Sequence, residues 1–244
     1  MGLHQPDIVF GDASHLPDAT AIADFNWHTF YENSQLLGDG NSLSVAAIPE
    51  YPHAVVRHQH AYADSAEGYA AIASSGVEHF SRLEDSGLTV PPHRFVVAPA
   101  HYNQAEIALY SITDRLAGRA LGLDREDLYY TPPIIKSLAT YMLEVYQDNE
   151  AEFMSDLSKS SQFTVPHSTA PGAAILHDTG LNLSPVKQGS GKPHEDFTYA
   201  ALDLQSWANT MNVPYPNILK QLAKQAESAP RRIARRIIWR LIDN

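Results

Sequence analysis

The sequence predicts an α+β fold: a five-stranded antiparallel sheet carrying one helix, followed by a mainly helical region. Three observations predict it. Residues 35–58 read as strand, glycine turn, strand, proline turn, strand. A helix-length amphipathic segment, 65–86, comes next. Two further β-rich runs, Arg94–Ala98 and Glu106–Ile112, close the set.

Residues 1–34 offer one aromatic cluster, Phe25, Trp27, Phe30 and Tyr31, which fits a short helix packed on the first strand. Leu36 and Leu37 then lead into Gly38-Asp-Gly40, Val45–Ile48 is apolar, and Pro49 to Pro52 force a reversal into Ala54-Val-Val-Arg57. Two glycines in such a turn let backbone N–H groups approach a phosphate with no Cβ in the way. An arginine at the end of the third strand is placed to reach that phosphate. The same letters also suit a plain surface hairpin whose glycines only supply turn dihedrals.

In the next segment Ser65 is an N-cap with Glu67 in the first turn. Ala70, Ile72, Ala73, Val77, Phe80 and Leu83 form an apolar stripe, and Gly87 marks the stop. After the two strands, Asp114–Gly118 is a polar crossing and Leu121–Tyr130 a loop or brief helix. Thr131-Pro-Pro opens a helix to about Tyr146 with Ile134, Ile135, Leu138, Met142 and Val145 on its apolar face. Residues 148–171 read as polar and irregular. Ala173–Leu176 is a short apolar run ending in His177-Asp178-Thr-Gly-Leu-Asn182. Leu183–Val186 and Phe197–Leu204 are expected to pair as a hairpin across Gly189-Ser-Gly191, and from Gln205 the chain is helical, broken by prolines. The expected division is a β-rich domain, residues 1–113, and a helical one, 114–244.

Composition narrows the function classes. The 244 residues are 44% apolar and 18% charged, as in ordinary globular proteins. There is no cysteine, so disulfides, thiolate metal sites and thiol nucleophiles are excluded. Net charge is −11, and five arginines between 231 and 240 hold a large share of the 17 basic residues. A body this acidic argues against nucleic acid as a partner. The start lacks a signal-peptide pattern, and no run approaches the roughly 18 apolar residues of a membrane span. A cytoplasmic protein without an integral membrane segment is expected. The terminal stretch Arg231–Leu241 places Ile233, Ile237 and Leu241 on one helical face, consistent with a last helix docked on the acidic body.

In the order of these elements the chain resembles the protein-kinase-like fold, a two-lobed architecture, and more closely its aminoglycoside and choline phosphotransferase branch. That resemblance implies that Gly38-Asp-Gly40-Asn-Ser-Leu43 is the glycine-rich loop, with Leu43 where protein kinases have a third glycine. Arg57 then stands where the family has its ATP-binding lysine, and Glu78, 21 residues on, pairs with that cation, with Glu67 and Glu84 as alternatives. Ser111–Gly118 resembles the hinge that holds adenine. Ile175–Leu183 resembles the catalytic loop, one residue shorter than in the family, with Asp178 as the base and Asn182 as a magnesium ligand. The second metal aspartate is Asp203, with Asp196 as the alternative. ATP and Mg2+ are the implied cofactors, and the partner is a small-molecule substrate. Only about forty residues follow Asp203, too few for a protein-substrate platform, so the acceptor is a small hydroxylated molecule, and the acidic body suits a cationic one. Two other classes fit parts of the chain. One is a catalytically inactive, pseudokinase-like nucleotide- or protein-binding module, favoured by the arginine at position 57 and the shortened loop. The other is a metal-dependent hydrolase using His177, Asp178, His194 and Asp203.

Overall fold

Ala54-Val-Val-Arg-His-Gln59 has the β-branched centre and short length of a strand buried on both sides, and it forms one in the middle of the molecule's larger sheet. The structure is a computed structural model that describes residues 8–21, 36–39, 43–59, 63–99, 107–147, 159–167, 174–177, 193–213, 217 and 220–221. Its strands in chain order are β1 (Ile8–Phe10), β2 (Leu36–Asp39), β3 (Leu43–Ala47), β4 (Ala54–Gln59), β5 (His93–Pro99) and β6 (Ile107–Asp114), with helix α1 (Ala66–Asp85) after β4. They form one antiparallel sheet in the order β1-β5-β6-β4-β3-β2. The fold is therefore α+β, but the sheet has six strands where five are expected from sequence. The sixth is β1, three residues long and set in a polar context, which pairs with the outer edge of β5.

Helix α1 begins and ends on its predicted signals. Ser65 Oγ accepts a hydrogen bond from the Gly68 backbone N–H at 3.1 Å, capping the first turn. Gly87, at φ +95°, lets the chain leave the helix, with its N–H donating to Glu84 O and Leu88 N–H to Leu83 O. Tyr69, Ala73, Gly76 and Phe80 are its buried positions within the sheet-bearing unit, at helical spacings of 4, 3 and 4.

Directly paired residues lie on one face of a sheet and alternate along each strand. One face carries Ala46, Ala54, Val56, Val96, Ala98, Ala108, Tyr110 and Ile112, packed with Ala13, Leu16 and Ile48. The Arg94 guanidinium holds this covering segment by donating to Ala13 O at 3.1 Å. The other face carries Phe10, His93, Phe95, Val55, Arg57, Gln59, Ser111 and Thr113, and lies under α1. Phe80 of α1 packs edge-on against Phe10 and lies 4.6 Å from the His93 ring. The Tyr69 hydroxyl donates to Ile107 O.

The rest of the described chain is a separate set of elements. A small antiparallel sheet is made of β7 (Gly118–Ala120), β8 (Phe163–Pro166) and β9 (Ile175–Leu176). Gly118 is needed there because a Cβ would collide with the Val165 carbonyl across the ladder. A 3-10 turn, Arg125–Tyr129, leads into α2 (Thr131–Gln147), which packs on α3 (Pro193–Thr210). Ile134, Ile135, Leu138 and Met142 of the predicted apolar face of α2 are buried. Asp127 is buried and ties this entry together: Arg119 Nη2 lies 2.7 Å from Oδ1, Gly122 N–H donates to Oδ2, and Thr131 Oγ1 donates to its carbonyl. The chain divides into two compact units, one holding residues 1–81, 91–117 and 181–187, the other the remainder.

Two expectations are corrected here. Residues 197–204 are not a strand of a hairpin but part of α3, because Ala200, Leu204, Trp207, Ala208 and Met211 recur at 3- and 4-residue spacing and bury together. The stretch 148–171 is not wholly irregular, since Phe163-Thr-Val-Pro166 forms β8. Among the described residues no helix is long and apolar enough to cross a membrane.

Candidate functional site

One row of paired residues runs across all six strands: Gly38, Val45, Arg57, Ser111, Phe95 and Ile8. It brings together two of the sequence-predicted site residues, Gly38 and Arg57, two strand spacings or about 9.5 Å apart. Gly38 lies beside an irregularity in the β2–β3 register, where Leu37 has no partner of its own. Gly40, in the same predicted loop, lies outside the described residues.

Arg57 is 6% exposed, on the face that α1 covers. Its neighbours there are polar although the surroundings are dry. Gln59 Nε2 donates to Ser111 Oγ at 2.9 Å, and Thr113 Oγ1 donates to Pro92 O at 2.8 Å. His93, 1% exposed, uses Nδ1 as donor to Pro91 O at 2.7 Å, the only role a nitrogen can play against a carbonyl oxygen. Burial pushes the His93 imidazole down to about 3, the Arg57 charge adds to this, and the bond to Pro91 opposes it. The ring is therefore neutral at physiological pH. Burying an arginine and a histidine on one sheet face costs stability, so the cluster marks a place where the fold spends stability on chemistry.

Glu78 does not join it. At about 100° per residue, Glu78 falls on the side of α1 opposite Tyr69, Ala73, Gly76 and Phe80, and it is exposed. Glu67 and Glu84 are exposed as well. No acidic residue belongs to the sheet-facing stripe of α1. The predicted adenine hinge also shrinks. Ser111, Ile112 and Thr113 sit in the interior of β6 with their backbone groups paired to β4 and β5, so only 115–117 remain outside ladders, and Arg115 N–H already donates to His53 O.

In the second unit, His177 follows β9 directly. Its backbone N–H donates to Gln162 O at 2.9 Å, and its Nδ1 lies 2.8 Å from Thr164 Oγ1. Thr89 O accepts from Leu176 N–H, so both sides of this short strand are held. Asp178 and Asn182 lie outside the described residues. Asp203 is exposed in the middle of α3, not at a strand end. His194 and Asp196 fall in the first turn of that helix. Among the described residues no group of three histidine or carboxylate side chains is gathered to hold a metal. Sequence reasoning missed His93, Gln59 and Thr164. His93 was hidden by its place beside two prolines, and only the strand register shows that it shares a face with Arg57. No protein-family model matches the chain, and no curated protein matches it in sequence.

Proposed function

We propose that the chain is a kinase-like phosphotransferase that moves the γ-phosphate of ATP to a small hydroxylated, cationic acceptor. The observation that carries this reading is the row Gly38–Val45–Arg57 on a β-meander whose next element, α1, covers the same face as the cation. A glycine hairpin end beside a strand-borne arginine suits the phosphates of a nucleotide, which need backbone N–H groups and a fixed positive charge. The clamped strand β9, ending at His177, is a rigid base for a loop that begins with Asp178. In this reading Asp178 takes the acceptor proton, and Asn182 with Asp203 or Asp196 holds magnesium.

A second reading, a pseudokinase-like module that binds nucleotide without transferring phosphate, is favoured by one observation: Glu78 lies on the outer side of α1, so the carboxylate the family pairs with its cation is not supplied from that position. One experiment separates the two. ATP with magnesium should raise the melting temperature in both, since ligand bound to the native state adds stability. Only the phosphotransferase should then release ADP when amino sugars and amino alcohols are added, and Asp178→Asn should abolish that release while ATP still binds. No shift with nucleotide would reject both.

A further inference from the structure

We propose that His93 is the positioning residue for Arg57, a neutral acceptor that orients the guanidinium without cancelling its charge, leaving the face under α1 with a full positive charge for the polyphosphate of a nucleotide. The inference rests on the nucleotide-binding reading above and deepens it.

Four observations converge. His93 pairs with Thr113, which pairs with Val55, two residues before Arg57 on the same face, so both side chains lie under α1. With Nδ1 protonated and donating to Pro91 O, the lone pair of His93 is on Nε2. That Nε2 is buried and accepts no hydrogen bond among the described residues, while Phe10, Phe80 and Phe95 pack around the ring at 6.5, 4.6 and 6.2 Å. An acceptor buried among aromatic rings is costly unless a donor reaches it. The neighbouring Gln59 donates to Ser111, and Thr113 donates to Pro92 O. Arg57, with five N–H donors and a charge felt by the imidazole, is the group able to serve it, directly or through one buried water. The sheet-facing stripe of α1 offers Tyr69, Ala73, Gly76 and Phe80, and no carboxylate.

The consequence is a difference in charge. A cation paired with a carboxylate is neutral as a unit, whereas arginine beside neutral histidine carries +1 into a site of low dielectric, where it attracts phosphate more strongly.

Two arms test this. ATP affinity is measured by calorimetry in the wild type, His93→Phe and His93→Gln. Phenylalanine keeps the ring packing and deletes the acceptor, so ATP should bind about tenfold more weakly. Glutamine restores an acceptor oxygen and should bind within about threefold of the wild type. Equal affinity in His93→Phe, or a glutamine variant as weak as phenylalanine, overturns the proposal. In the second arm, nitrogen NMR of the ligand-free protein should find Nε2 of His93 unprotonated, with a signal that moves in Arg57→Lys. A proton on Nε2, or a signal indifferent to Arg57→Lys, also overturns it. If the wild type fails to bind ATP, the nucleotide reading falls while the NMR arm still decides whether His93 serves Arg57. If His93→Phe does not fold, the NMR arm and the glutamine variant decide.

Discussion

On one face of the six-stranded sheet lie Ala46, Ala54, Val56, Val96, Ala98, Ala108 and Ile112; on the other lie Arg57, Gln59, His93, Ser111 and Thr113. Both faces are buried. The first is close-packed hydrocarbon closed by the segment around Ala13 and Leu16, and it does what a core requires. The second is covered by α1 through Phe80 and Tyr69 yet keeps two ionisable side chains and three other polar ones in the dry. Alternation along the strands makes this segregation possible, since β4 sends Ala54 and Val56 one way and Val55, Arg57 and Gln59 the other. A sheet that needed only stability would carry aliphatic residues on both sides. The difference teaches where to look for function, and substitutions on the two faces should therefore behave differently.

The largest effect is expected on the aliphatic face. Ile112→Ala leaves a cavity at a fully buried position and should cost about 3 kcal/mol of unfolding free energy in a denaturant titration. Nucleotide affinity of the folded fraction should not change. Equal losses of stability and affinity would mean that the two faces are not separable.

Next comes acid stability, which belongs to the polar face. The His93 pKa is depressed to about 3 in the fold, against an ordinary imidazole near 6.5 when unfolded. Between those values the unfolded chain binds the proton and the native chain does not. Stability from this group is therefore complete above about pH 6.5 and falls by about 1.4 kcal/mol per pH unit below it. His93→Phe should lose that slope, so the wild-type and variant curves should converge from pH 7 to pH 5. Parallel curves would show that His93 protonates freely in the native state.

Arg57→Met should change unfolding free energy by less than about 1 kcal/mol, or raise it, because a buried charge is replaced by an apolar side chain of similar length. A loss of several kcal/mol would make Arg57 a structural member of the fold. The smallest effect is expected at Glu78→Gln, within about 0.5 kcal/mol in stability and without change in nucleotide affinity, because the side chain is exposed on the outer side of α1. A large loss of affinity there would restore Glu78 to the site.

Much of the sheet was legible in the sequence. Strands β2 to β6 and helix α1 were expected in their observed order because apolar runs, Pro49–Pro52 and the Ser65 and Gly87 signals are all local. What was not legible depends on distant pairing. β1 is too short for its pattern to exceed its polar surroundings, and only the exposed edge of β5 makes it a strand. Phe197–Leu204 alternates as a strand would, but burial of Ala200, Leu204, Trp207 and Ala208 makes it helical. Glu78 was chosen by its distance along the chain from Arg57, and a helix face is decided by register instead: two residues from both Gly76 and Phe80 puts it on the wrong side. His93 entered the site only through the strand register.

The measurement closest to the central claim is a calorimetric titration of ATP with magnesium into the wild type and Arg57→Met, with the fold of each checked by circular dichroism. The expected result is saturable binding to the wild type, with affinity reduced by about tenfold or more in the variant. No binding by the wild type, or equal binding by a folded Arg57→Met, would contradict it.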